Sequence, residues 1–202
     1  MEIIGYSITS HFNDTEMYER ASIAVPKCPV CGYRTELFPH NPNYAFRKSF
    51  KPVYLEDMTI SNEKTACSET YDCQWIVSWN FKLFCEEQKY EGLTFLDFVK
   101  DKWHFHLIVN HEIKIDLVAD EGPMRYEKLC PACQKYEWIG PPPKFFQVNG
   151  PLADGFYRSD LIFGDAHGRH PLTLIGIETM KKLKAMKFKA LTYQPIYRAT
   201  GQ

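Results

Sequence analysis

Two cysteine pairs, Cys28-Pro29-Val30-Cys31 and Cys130-Pro131-Ala132-Cys133, constrain this 202-residue chain more than any other feature. Each places two thiols two residues apart, the spacing at which one tight turn aims both sulfurs at a single ion. In both pairs Pro follows the first Cys and presets the turn. Gly32 follows the first pair, where a positive φ is easily accepted, and Gln134 stands in that place after the second. Two such half-sites complete the tetrahedral shell that zinc prefers, so the thiolates of Cys28, Cys31, Cys130 and Cys133 read as ligands of one structural zinc. Compact zinc ribbons separate their halves by about 15–20 residues, whereas nearly half of this chain lies between them. Sharing one ion therefore requires the fold to bring distant segments together. The alternatives are two unrelated thiol pairs or a redox motif. The redox reading expects a thioredoxin-like βαβ context, which neither pair has.

Cysteine usage also bears on the compartment. The remaining thiols, Cys67, Cys73 and Cys85, are scattered without metal spacing, and the total of seven is odd. The start, Met1-Glu2-Ile3-Ile4-Gly5-Tyr6, has neither a basic n-region nor an apolar h-region, so the expectation is a reducing, cytoplasmic setting. No run approaches the roughly 20 apolar residues of a membrane span. A net charge of −1 supplies no general drive toward nucleic acid or an anionic membrane, which makes nucleic acid an unlikely partner. Hydrophobic residues at 45% support a sizeable core.

The clearest local grammar is a strand, a helix and a strand, and it occurs twice. Gln74-Trp75-Ile76-Val77-Ser78 reads as a strand ending on an N-cap, with a helix over Trp79–Glu87, a C-cap glycine at Gly92 and a strand over Leu93–Val99. Near the other end, Thr173-Leu174-Ile175-Gly176 leads into a helix over Ile177–Met186, and Leu191–Tyr197 reads as the strand that follows. Residues 76–99 slide onto 174–197 without a gap, at a constant shift of 98, and suggest an internal duplication. Three of the 24 aligned positions are identical, so a chance likeness of two such units is the alternative.

Between the units, Phe105, Leu107 and Val109 alternate with His104, His106 and Asn110, and Ile113, Ile115 and Leu117 alternate with Lys114 and Asp116. Period two on both sides of a turn near Asn110–His111 predicts a half-buried hairpin. Gly140-Pro141-Pro142-Pro143 reads as a stiff break. It divides an N-terminal lobe, 1–140, holding both cysteine pairs and the first unit, from a C-terminal unit, 141–202. Residues 38–52, with Pro39, Pro42 and Pro52, read as extended loop, and 13–20 as a helical turn or a loop.

Other polar groups compete as chemistry. His104 and His106 share a strand face with His111 across the turn, a geometry compatible with a metal, but the plainer reading is a solvated polar face. Asp165, His167 and His170 gather in a glycine-containing loop, which reads as a polar loop before it reads as a metal or catalytic site. No nucleophile elbow, His-Glu-x-x-His helix, phosphate loop or dinucleotide fingerprint is present. A zinc-deaminase reading fails in detail, because Glu112 adjoins His111 and Leu129 replaces the Pro that precedes the first Cys. Lys181, Lys182, Lys184, Lys187 and Lys189 make the last helix basic, a solvated face in a near-neutral chain.

The arrangement resembles the bacterial double-CxxCG family, the immunity proteins of polymorphic toxin systems. The resemblance rests on Cys28-Pro29-Val30-Cys31-Gly32, on Lys114–Val118 ahead of Cys130-Pro131-Ala132-Cys133, and on a closing unit from Asp160-Leu161-Ile162-Phe163 through Leu174-Ile175-Gly176 to Leu191–Ile196. Two positions depart from the family pattern: Gln134 replaces the second motif's glycine, and Gly176 stands where a small hydroxyl residue is commoner. The resemblance implies a cytoplasmic protein that binds and neutralises a cognate toxin. The alternative is a zinc-ribbon module in regulation or nucleic-acid association. The resulting expectation is an α+β, non-enzymatic protein with two related strand-helix-strand units, a mainly antiparallel sheet, and a long-range, zinc-ribbon-like site of four cysteines.

Overall fold

The computed structural model describes residues 1–13, 28–31, 66–70, 73–98, 100–113, 125–134, 136–140, 142, 144–146, 150–164 and 170–198. Gly32, residues 14–20 and 38–52, Val99, 114–118, Pro141, Pro143, Asp165 and His167 lie outside the described residues. The chain is a mixed α+β protein rich in strands. In order it runs β1 (Ile3–Thr9), β2 (Cys67–Glu69), β3 (Trp75–Ser78), α1 (Trp79–Glu87) and β4 (Leu93–Asp97). Next come β5 (His104–Val109), β6 (Glu112–Ile113), β7 (Arg125–Leu129), β8 (Tyr136–Gly140) and β9 (Phe145–Phe146). The last elements are β10 (Phe156–Phe163), β11 (His170–Ile175), α2 (Ile177–Ala185) and β12 (Thr192–Arg198).

Three sheets result: six strands in the order β6-β10-β11-β1-β12-β9, four in the order β2-β3-β5-β4, and the hairpin β7-β8. Pairing is antiparallel except where β6 joins β10 and β9 joins β12.

The two strand-helix-strand segments are built alike. A shift of 98 carries α1 onto α2 residue for residue. The chain leaves both helices in the same way. Lys89 and Lys187 turn left-handed at φ 55° and 54°, and Gly92 and Ala190 at 73° and 72°. In each sheet a central strand runs between the flanking two in the same register. Phe105 of β5 faces Val77 and Asp97, while Tyr6 of β1 faces Ile175 and Pro195, the positions that the shift relates. The central strand differs in origin: β5 follows β4 directly, whereas β1 comes from the N-terminus. The expected boundary at residue 140 thus runs through the six-stranded sheet, with β1 on one side and β10–β12 on the other.

Among the described residues the expected hairpin is not seen, and most of its second arm, 114–118, lies outside them. Both edges of β5 are taken by β3 and β4, and β6 instead pairs in parallel with β10 through Arg158↔Glu112. Alternation identifies a strand, but it does not name the partner strand. The alternation itself is filled on both faces. Phe105, Leu107 and Val109 enter the main core, and His104 and His106 on the other face are 5% and 2% exposed, so they are not solvated.

The main core joins both units. It gathers Val77, Phe105 and Leu107 from one sheet, Ile8, Phe156 and Ile175 from the other, and Phe81, Phe84, Met180 and Leu183 from the helices. Phe81, Phe84 and Cys85, at i, i+3 and i+4, form the buried stripe of α1. Phe81 meets Phe156 edge-on at 5.9 Å between centroids; burying a ring of this size is worth roughly 2–3 kcal/mol. A second core, with Ile4, Leu174 and Ile196, covers the other face of the six-stranded sheet beneath Ile139, Phe146 and Leu152.

The helix starts differ for a visible reason. Ser78 caps α1 by accepting the Phe81 amide on its hydroxyl at 3.3 Å. Gly176 begins α2 with no side-chain cap, because a Cβ there would collide with the Ala153 carbonyl. The absence of a side chain at Gly176 makes room for the segment before β10. That segment is fastened by Asp154, whose carboxylate accepts from Thr179 at 2.7 Å, Tyr90 at 3.0 Å and Lys182 at 2.5 Å. Burial raises the pKa of Asp154, but these three donors outweigh it and hold the carboxyl below its usual range.

Candidate metal centre

A hairpin turn positions the second cysteine pair. β7 and β8 pair from Arg125↔Gly140 to Leu129↔Tyr136, and Cys130–Cys133 form the turn between them. Gln134 closes this turn in the left-handed region, at φ 56°, with its amide donating to the Cys130 carbonyl at 2.9 Å. This is the conformation for which glycine is favoured. Here the Gln134 side-chain amide offsets the strain by donating to the Pro131 carbonyl at 2.9 Å.

The first pair, Cys28 and Cys31, approaches from 102 residues earlier. The sulfurs of Cys28 and Cys130 are 3.6 Å apart, as are those of Cys31 and Cys133, and all four lie within 4.8 Å of one another. Four Zn–S bonds of about 2.3 Å at tetrahedral angles set sulfurs about 3.8 Å apart, so the cluster fits zinc and is too open for disulfides of about 2.05 Å. None of the four is in a disulfide.

Local electrostatics favour the thiolate of Cys28. The backbone amides of Cys31 and then Val30 point at the Cys28 sulfur and outweigh its desolvation, bringing its pKa down to about 6. Ile162 of β10 packs against the cysteines, and backbone bonds between Ile139 and Gly164 tie β8 to the end of β10. The thiol cluster is thereby anchored to the six-stranded sheet. Cys28 and Cys130 are buried, while Cys31 and Cys133 are partly exposed. Among the described residues, this is the only group of three or more His, Cys, Asp or Glu side chains whose ligand atoms converge.

Among the described residues the histidines do not assemble a second site. His104 Nδ1 lies 2.7 Å from Asp101 Oδ2, and the other Asp101 oxygen accepts the backbone amides of Trp103 and His104, which fixes the start of β5. Burial drives the His106 pKa down to about 3 and keeps its ring neutral. That ring lines a cavity of about 30 Å³ with Gln74, Arg158 and Thr173. His111 is exposed, stacks on Tyr157 at 6.2 Å, and lies over Gly92. His170 begins β11 opposite Phe163 and is not among the converging ligands.

Two functional-looking groups carried no sequence signal. Glu69 is buried, with a pKa raised to about 7 by desolvation, and accepts the Ser10 amide at 2.6 Å. Asp154 joins both units through Tyr90, Thr179 and Lys182. On the surface, Trp79, Leu83 and Trp103 are 40%, 37% and 71% exposed, and the Trp79 amide donates to the Trp103 carbonyl at 2.7 Å. Among the described residues, no helix is long and apolar enough to cross a membrane.

No family model matches the chain, and neither the curated proteins nor the solved structures contain a significant match.

Proposed function

We propose that this chain is a zinc-stabilised binding protein of the immunity type, which occludes a cognate bacterial toxin rather than performing chemistry. The observation that carries the metal reading is the convergence of four thiols from segments 102 residues apart. Four thiolates are the ligand set of a closed structural site, in which zinc contributes to folding. Cys28, Cys31, Cys130 and Cys133 would hold the ion, and the β7–β8 turn would serve as the second half of a zinc-ribbon-like unit.

The toxin-binding role rests on the double-CxxCG resemblance and a cytoplasmic setting. It is supported by exposed Trp79, Leu83 and Trp103 beside one another, since tryptophans dominate the energetics of protein interfaces. The likeness of the two strand-helix-strand segments fits one duplicated unit.

Metal analysis of the reduced protein should find about one zinc per chain. Two equivalents, or none, would refute the shared site. Co-expression with the toxin domain encoded beside this chain should give a stable complex and protect the host cell from that toxin. Failure to bind or protect, in zinc-loaded protein, would remove the immunity reading and leave the metal site standing.

A further inference from the structure

The four sulfurs differ in access, and the difference follows one edge of the cluster. Cys28 and Cys130, the first members of their pairs, are 8% and 3% exposed. Cys31 and Cys133, the second members, are both partly exposed. The sulfurs of the two partly exposed residues lie 3.6 Å from each other, as do those of the two buried residues. An oxidant arriving from solvent therefore meets one thiol of each half-site, and these two are neighbours.

We propose that Cys31 and Cys133 form a peroxide-sensitive pair, whose oxidation to a Cys31–Cys133 disulfide releases the zinc while keeping the two distant segments joined. The inference rests on the zinc reading above and deepens it. The thiolate sulfur of one exposed cysteine attacks an oxygen of hydrogen peroxide, the O–O bond breaks, and hydroxide leaves, giving a sulfenic acid. The other exposed thiolate attacks that sulfur, the S–O bond breaks, and a second hydroxide leaves as the S–S bond forms. Two thiolates and one peroxide thus become one disulfide and two hydroxides. The sulfurs are oxidised by two electrons and the peroxide is reduced by two. Zinc, left with Cys28 and Cys130 alone, dissociates.

The choice of partner has a structural consequence. Oxidation within each Cys-x-x-Cys would close both half-sites on themselves and let the segments part once the metal left. Oxidation across the exposed edge closes a gap of 3.6 Å to a bond of about 2.05 Å between the same two segments that zinc bridged. The clasp changes from metal to covalent bond without opening, and Cys28 and Cys130 stay reduced below it.

The test treats the zinc-loaded full chain with hydrogen peroxide beside a chromogenic zinc chelator, alkylates the remaining thiols, and maps disulfides without reduction. Trypsin leaves Cys28 and Cys31 on one peptide and Cys130 and Cys133 on another. The expected product is a cross-link between these two peptides, with fragmentation placing the alkyl groups on Cys28 and Cys130. About one zinc should be released per chain, with an unchanged hydrodynamic radius. Retained zinc, disulfides confined within either peptide, or expansion of the chain on release would overturn the proposal and leave the zinc reading intact. Reduced protein that holds no zinc would overturn both.

Discussion

The two strand-helix-strand units share helix length, exit conformation and strand register, yet they are completed in opposite ways. The first takes its central strand, β5, from the chain immediately after β4. The second takes β1 from the far end of the chain and inserts it between β11 and β12. One unit is closed by local contacts and the other by contacts that must wait for loop closure across most of the sequence. The cysteine cluster attaches to the second, through Ile162 and the Ile139–Gly164 bonds. The difference teaches where a long-range clasp is useful: beside the sheet whose middle strand arrives from elsewhere.

The strongest way to break this comparison is to remove a thiol. Cys130→Ser removes one of the four converging thiols and should abolish binding of the proposed zinc. The loss should exceed about 5 kcal/mol, comparable with the whole stability of many domains. It should appear as aggregation or a melting temperature lowered by more than about 10 °C. Hydrogen exchange on any folded remainder should show protection lost first in β10–β12 and retained longer in β3–β5. Equal loss in both sheets, or an unchanged melt, would detach the clasp from the second unit.

The helix starts offer the next test, because the two caps differ while the helices do not. Gly176→Ser introduces the side-chain cap that α1 has, yet its Cβ would meet the Ala153 carbonyl and displace the segment carrying Asp154. A cost of about 3 kcal/mol is expected from denaturant midpoints. The reverse exchange, Ser78→Gly, should cost only a few tenths of a kcal/mol, since glycine is itself an acceptable N-cap. Similar costs for the two would mean that the Ala153 contact is not what excludes a side chain.

What the sequence disclosed follows the same local and non-local divide. Both helices were legible to within a residue at their ends, because caps, apolar spacing and left-handed exits are encoded by neighbours. The four cysteines were legible because spacing within each pair is local chemistry, although their meeting depends on the fold. The partners of β5 were not legible, since period-two alternation says that a segment is a strand and nothing about which strands flank it. His104 and His106 looked solvated for the same reason: burial depends on what covers a face. The insertion of β1, and the Asp154 junction between Tyr90 and α2, had no local signal at all.

A smaller effect distinguishes equivalent positions in the strands beside β3 and β11. Glu69 faces Trp75, and Arg158 faces Thr173, the residue that the shift of 98 matches to Trp75. Arg158 keeps an ion pair with Glu112 at 2.7 Å, whereas burial raises the pKa of Glu69 from 4.5 to about 7. Folded Glu69 thus holds its proton where the unfolded chain has lost it. Its contribution is complete below the unfolded value near 4.5 and is lost as pH rises through about 7. His106 acts in the other direction, because its depressed pKa costs stability as pH falls below 6.5 toward about 3. Glu69→Gln keeps an acceptor for the Ser10 amide and removes the titration. Urea midpoints should show the variant gaining on the wild type by on the order of 2 kcal/mol between pH 5 and pH 8. Parallel pH profiles would show that Glu69 ionises without cost.

The finest comparison uses one backbone conformation occupied by two residues. Gly92 and Ala190 leave their helices at φ 73° and 72°, where an L side chain is strained and glycine is not. Ala190→Gly should therefore stabilise the protein by about 0.5–1 kcal/mol, the relief of left-handed strain less the added freedom of the unfolded chain. The Ala190 carbonyl, which accepts the Ser10 hydroxyl at 3.1 Å, is untouched by the change. Gly92→Ala should do the reverse, at about 1–2 kcal/mol, because its Cβ gains the same strain and meets the His111 ring at 2.6 Å. Opposite signs in thermal melts would establish that the two units share a conformation which only one has the residue to occupy without strain. A loss of stability in both variants would show that the second exit has adapted its surroundings to alanine, and that the likeness of the units ends at their backbones.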